Sequence, residues 1–176
     1  MNMENTINSS RINREISRIN QFVQNGNIFK TGIIYLLISK LINLLFIKLE
    51  DIGIPNVHFH ETIVTYDFSF DEHLFIAVVF GPFLETVIYQ FLPYVILSRI
   101  SWLKKNPVFI IVISSLLFGL THNYSVHHAI YSTMVGFFYM YLYIMRTGKH
   151  PFYTVFILHA ISNLVSITLD KIFPNL

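Results

Sequence analysis

Four polar side chains stand inside apolar stretches of the 176-residue chain: Glu85, His122, His159 and Asn163. A carboxylate enclosed in an apolar bundle can accept a proton from water near neutral pH. An imidazole beside it can share that water. A second imidazole and an amide are donors suited to the oxyanion that grows on a peptide carbonyl under attack. Such a set needs neither serine nor cysteine. The chain has no cysteine, which excludes disulfides, cysteine-zinc sites and thiol nucleophiles. Two other readings use the same residues. In one, Glu85, His122 and His159 coordinate zinc through oxygen and nitrogen, although no HExxH helix is present. In the other they are structural: a protonated Glu85 bonded between helices, an interfacial His122, and His159 with Asn163 as polar contacts between helices.

Helical spacing groups these residues. Positions four apart share a helix face, which pairs His159 with Asn163, Phe118 with His122, and Glu85 with Tyr89, with Gln90 close by. Pro82 lies three residues before Glu85. It removes a backbone donor and is expected to bend the helix, a break that membranes tolerate where protein or water re-satisfies the backbone. A hydrated cavity beside the carboxylate follows.

The positioning elements are membrane helices. Charged residues make up 12% of the chain, against about 25% in soluble domains, while 53% are apolar and 16% aromatic. The mean hydropathy is +0.55. A net charge of +2 without a basic cluster excludes a nucleic-acid binder, and the apolar content excludes disorder. Spans are predicted over residues 31–47, 74–97, 107–121, 126–145 and 152–169, giving an all-α, polytopic membrane protein with about five transmembrane helices. By axial rise, Glu85 lies ~19 Å, His122 ~22 Å, His159 ~12 Å and Asn163 ~18 Å from the inner ends of their spans. An ionised group at such depth costs roughly 2.5–3.5 kcal/mol and is expected to face other helices.

Loop charges set an orientation. Arg11, Arg14, Arg18 and Lys30 precede the first span, Arg99, Lys104 and Lys105 separate the second from the third, and Arg146 and Lys149 separate the fourth from the fifth. Intervening loops are acidic or uncharged, so the N-terminus is expected in the cytoplasm and the C-terminus outside. Residues 1–28 lack the apolar run and cleavage site of a signal peptide. Ile12, Ile16, Ile19 and Val23 recur at helical spacing among arginines, which predicts a short amphipathic helix on the inner leaflet. The organisation expected is an interfacial segment over 1–28, a first helix and outer loop over 29–73, a core of about four helices over 74–170, and a tail over 171–176.

At the polar residues the chain resembles the CAAX-protease and bacteriocin-processing family (CPBP, or Abi) of intramembrane endopeptidases. That family carries EExxxR, FxxxH and HxxxN motifs in this order on successive helices. Glu85-Thr86-Val87-Ile88-Tyr89-Gln90 stands at the first, Phe118-Gly119-Leu120-Thr121-His122 at the second and His159-Ala160-Ile161-Ser162-Asn163 at the third. The likeness spans about residues 75–170. It implies that Glu85 and His122 activate water, that His159 and Asn163 hold the oxyanion, and that no metal cofactor is needed, in a family long described as metalloproteases. It also implies a peptide or protein substrate and a bacterial inner membrane. Phe118 is expected to shape the cavity wall. Thr86 and Gln90 replace the motif's second Glu and its Arg. Losing one member of a buried ion pair costs about 3–5 kcal/mol, whereas replacing both can be nearly free, so a hydrogen-bonded Thr86–Gln90 pair is expected. A non-catalytic member, conferring bacteriocin self-immunity or serving as a scaffold, is the competing class.

Other residues suggest smaller roles. Residues 62–70 alternate, which allows a short outer strand, and Asp71 is a plausible N-cap. His127 and His128 are expected at an interface. His58, His60 and Glu61 lack a further ligand for metal capture. Lys40 is expected to snorkel or to pair with a buried group. Tyr and Phe side chains are expected mainly to face lipid, with Trp102 at an interface.

Overall fold

The computed structural model describes residues 3–53, 57 and 69–172. Seven helices account for nearly all of them: α1 (Met3–Asn25), α2 (Ile28–Asp51), α3 (Phe70–Leu97), α4 (Ser101–Lys105), α5 (Pro107–Thr121), α6 (Val126–Met145) and α7 (Pro151–Ile172). The architecture is all-helical, as composition requires. Three helices, α2, α3 and α7, are long and apolar enough to cross a membrane. The short α5 is apolar throughout. α6 lies at the centre, packed against α2, α5 and α7. Its Ser132, Val135, Gly136, Tyr139, Met140, Leu142 and Tyr143 are buried. They pack with Tyr35 of α2, Ile110, Ile111 and Phe118 of α5, and Val155 and Leu158 of α7. Tyr35, Tyr139 and Tyr143 are therefore core residues, not the lipid-facing side chains expected from composition. Tyr35 and Tyr139 bring their rings to 5.1 Å.

Close helix approach depends on missing side chains. A Cβ on Gly119 of α5 would fall 1.8 Å from Thr133 Oγ1 and 2.8 Å from the Ala129 carbonyl of α6. A Cβ on Gly136 would lie 3.0 Å from Phe118 Cβ. These two contacts seat α5 against α6 and fix the end of α5, where His122 follows.

The N-terminal helix forms and ends at the Asn25-Gly26 turn, as its composition suggests. Val23 packs on the core, while Ile12, Ile16 and Ile19 stay exposed. The α3 start differs from expectation. Ser69, not Asp71, is the N-cap: its hydroxyl accepts from the Glu72 N–H, and Glu72 accepts from the Ser69 N–H at 2.8 Å. A reciprocal Ser-x-x-Glu box satisfies two orphan donors at once, which a cap at Asp71 could not. Phe70, the last residue of the expected outer strand, is helical for this reason. Residues 62–68 of that strand lie outside the described residues, and before them the Val57 carbonyl accepts from the Val126 N–H at 3.0 Å.

α3 is one rod with two wide turns. Residues Ile76–Phe80 and Val87–Phe91 are π-helical, closed by five-residue hydrogen bonds from Gly81 N–H to the Ile76 carbonyl and from Leu92 N–H to the Val87 carbonyl. Each wide turn is followed, one residue later, by a proline, Pro82 or Pro93. A proline supplies no N–H, so carbonyls of the preceding turn need donors from elsewhere. Two side chains from distant helices provide them. Asn163 Nδ2 donates to the Ala77 carbonyl at 2.8 Å, and the Ser114 hydroxyl donates to the Tyr89 carbonyl. Pro82 thus does disrupt the helix beside Glu85, by widening it. The α-helical turn Gly81–Thr86, which carries Glu85, is bracketed by the two π segments.

Candidate active site

Three of the four chemical residues converge. Glu85 Oε2 lies 3.5 Å from His159 Nε2 and 3.7 Å from His122 Nε2. Its two neighbours come from α7 and from the end of α5, so three segments far apart in sequence meet at one oxygen. Glu85 and His122 are partly exposed, whereas His159 is buried. Glu85 Oε2 has no hydrogen-bond partner among the described residues.

His122 is the C-cap of α5. Its N–H bonds back to the Gly119 carbonyl, and its ring Nδ1 lies 2.7 Å from the Phe118 carbonyl. A carbonyl only accepts, so Nδ1 carries the hydrogen. In the neutral ring, Nε2 then presents a lone pair towards Glu85. A lone pair and a carboxylate facing one another need a shared donor, and water has two hydrogens to give. His159 is held by ring contacts, at 4.7 Å from Tyr139 and 6.0 Å from Phe118. Phe118 is fully packed, 4.3 Å from the His122 ring. It forms the wall expected of it and fixes both imidazoles.

Asn163 stands one turn beyond His159 and commits one amide hydrogen to Ala77, as above. Its amide retains a second hydrogen. Thr86 and Gln90 do not pair. Thr86 is buried and its hydroxyl donates to the Pro82 carbonyl at 2.7 Å. Gln90 is also fully buried, with neither amide atom hydrogen-bonded among the described residues. The π turn is the reason: between residues 87 and 91 the helix holds more than four residues per turn, so side chains four apart no longer stack. The expected neutral replacement for an ion pair is absent.

His128 belongs to the surroundings of the site. Its ring lies 6.0 Å from His122 and 5.1 Å from Tyr124. Ser125 caps α6 by accepting from the His128 N–H, which folds the chain back immediately after His122. The sequence signal was that Ser125, three residues after His122. His127 turns the other way, buried and 5.3 Å from the ring of Phe46. Lys40 reaches across to α7, where Nζ donates to Ser166 Oγ at 2.7 Å. His58, His60 and Glu61 lie outside the described residues. Among the described residues, no group of three or more His, Cys, Asp or Glu is arranged to hold a metal ion.

The profile of the Rce1-like family, described as type II CAAX prenyl endopeptidase, matches residues 72–165. That is 94 of 176 residues, from the first turn of α3 to just past Asn163. The chain belongs to this family. No curated protein and no solved structure matches it. Membership makes this Rce1-like protein a membrane protease, a hydrolase acting on peptide substrates, in agreement with the resemblance seen in its motifs.

Proposed function

We propose that this Rce1-like protein is an intramembrane endopeptidase in which Glu85 and His122 activate water directly, and His159 with Asn163 receives the oxyanion. The observation that carries the reading is Glu85 Oε2 facing two imidazole Nε2 atoms, at 3.5 and 3.7 Å, from separate helices. A water beside that oxygen gives one hydrogen to Glu85 and the other to the His122 lone pair. Its own lone pair is then free to attack the scissile carbonyl. As the new C–O bond forms, Glu85 takes the proton, and negative charge moves to the carbonyl oxygen. His159 Nε2 and the second Asn163 hydrogen are the donors for that charge. The proton passes from Glu85 to the leaving amine as the C–N bond breaks, which returns the carboxylate.

The reading needs no metal, since Glu85 is the base and His122, His159 and Asn163 position the water and receive the oxyanion. Loop charge supports a cytoplasmic N-terminus and five crossings. The structure brings the expected cytoplasmic groups side by side: Arg146 Nη2 donates to the Gly26 carbonyl and Lys149 Nζ to Asn25 Oδ1, each at 2.6 Å. We place the protein in a bacterial inner membrane.

The test is cleavage of a peptide library by the purified protein in nanodiscs, before and after exhaustive chelation. Products are identified by mass. The account expects cleavage that survives chelation unchanged. Loss on chelation, restored by zinc alone, would instead establish the metalloprotease. Absence of cleavage in every condition would favour a self-immunity or scaffold role.

A further inference from the structure

We propose that the groove between α1, α2 and α6 binds one anionic phospholipid of the inner leaflet, with an acyl chain filling the groove and Arg18 holding the phosphate. The site is separate from the candidate active site, so the proposal stands or falls independently of the protease reading.

The groove has a volume of about 420 Å³. Phe22 of α1, Ile34 and Ile38 of α2, and Phe138 and Leu142 of α6 form its apolar walls, and the exposed Arg18 stands on its rim. Polar contacts fasten α1 beside it. Tyr141 Oη donates to Asn20 Oδ1 at 2.6 Å, and Arg146 and Lys149 hold the turn at Asn25 and Gly26 as described above. These bonds seat α1 on α6 without pressing its apolar side chains into the groove. Ile19, Phe22 and Ile34 stay 57, 41 and 46% exposed. An uncovered apolar concavity of this size suits a hydrocarbon chain, not a polar solute.

The direction of the groove also fits a lipid. α2 and α6 run in opposite directions, since Tyr35 meets Tyr139 while Phe46 meets His127. The groove lies at the end of this pair next to the α1–α2 turn and Arg146, which loop charge assigns to the cytoplasm. From Thr31 to Ile38 it follows α2 for seven residues, about 10 Å. One leaflet supplies ~15 Å of hydrocarbon, half of the bilayer core. A chain entering from the inner surface therefore lies lengthwise in the groove and leaves its headgroup beside α1.

The sign of that headgroup follows from α1 and the turn after it. Residues 1–30 carry four basic side chains against two acidic ones, which favours an anion at this surface. Arg18 Nη1 donates to Glu15 Oε1 at 3.0 Å in an exposed pair, an interaction that is weak in water. It uses one of the five N–H groups of the guanidinium, and a phosphate can take two others side by side. A zwitterionic headgroup brings a cation of its own into the same basic surface and is disfavoured.

Lipid retention is measured by native mass spectrometry of the full chain, with phosphatidylglycerol or phosphatidylcholine of identical chains added in detergent. The wild type is expected to retain one phosphatidylglycerol, about 5–10-fold more tightly than phosphatidylcholine. Arg18→Gln should lose that preference and hold either lipid weakly. Ile34→Trp, which fills the groove, should hold neither as a single defined adduct. Equal retention of both lipids by the wild type, or a preference undiminished in Arg18→Gln, would overturn the proposal. So would a wild-type dimer that dissociates in Ile34→Trp, which would give the groove to a second copy of the chain. Should Ile34→Trp not fold, a Phe22→Trp reporter decides, with the single tryptophan removed as Trp102→Phe. Brominated phosphatidylglycerol, as a minor component of phosphatidylcholine nanodiscs, should quench the reporter more than brominated phosphatidylcholine at the same fraction. Equal quenching rejects the site. Peptide cleavage enters neither readout.

Discussion

Glu85→Gln is expected to lower kcat for peptide cleavage by about 10²–10⁴-fold, with KM nearly unchanged. Glutamine has the size and hydrogen-bonding reach of glutamate, so the packing of α3 between its two wide turns is preserved. What it lacks is a site that accepts a proton from water and returns it to the leaving amine. The loss should therefore fall on the chemical step. Stability should not fall, since the substitution removes an ionisable group from an apolar setting and breaks no hydrogen bond of Oε2, which has none among the described residues. Unfolding in detergent, followed alongside steady-state cleavage, checks both statements. A folded Glu85→Gln variant cutting at the wild-type rate would remove Glu85 from the mechanism.

The second large effect concerns Gln90. Substituting Gln90→Arg alone is expected to destabilise the protein by about 3–5 kcal/mol, because it buries an unpaired guanidinium where a neutral amide stood. Both positions are fully buried, and Thr86 already spends its hydroxyl on its own helix. The double variant Thr86→Glu with Gln90→Arg should recover little of that loss, because the wide turn over Val87–Phe91 holds the two side chains apart. Gln90→Leu should be neutral or slightly stabilising, since the amide it replaces has no partner to lose among the described residues. Denaturant or SDS unfolding of the three variants measures this. A large recovery in the double charged variant would show that the two positions pair despite the wide turn.

The asymmetry between what could be read from the sequence and what could not has a physical origin. Glu85, His122 and His159 were legible because an ionisable or hydrogen-bonding group in an apolar run must find company, and helical spacing says which face it uses. Membrane character followed from the shortage of charge. The wide turns of α3 were hidden, because a helix opens at a proline only when some other segment can serve the stranded carbonyls. The donors, Asn163 and Ser114, lie far away in sequence. The same nonlocality gave Asn163 a structural duty next to its expected chemical one, and it separated Thr86 from Gln90. Lys40 could be recognised as out of place, but its partner Ser166 depends on the parallel packing of α2 on α7. The Ser69–Glu72 box was local and readable, and Asp71 obscured it only because both residue types are good caps.

Direct attack by water leaves a distinctive trace. In a single turnover with enzyme in excess, run in heavy-oxygen water, the account predicts that each new peptide carboxyl gains one heavy oxygen. The intact mass of the protein should meanwhile stay constant at every time point. A transient rise in protein mass equal to the acyl half of the peptide would mean a covalent intermediate, and it would contradict water activation by Glu85 and His122.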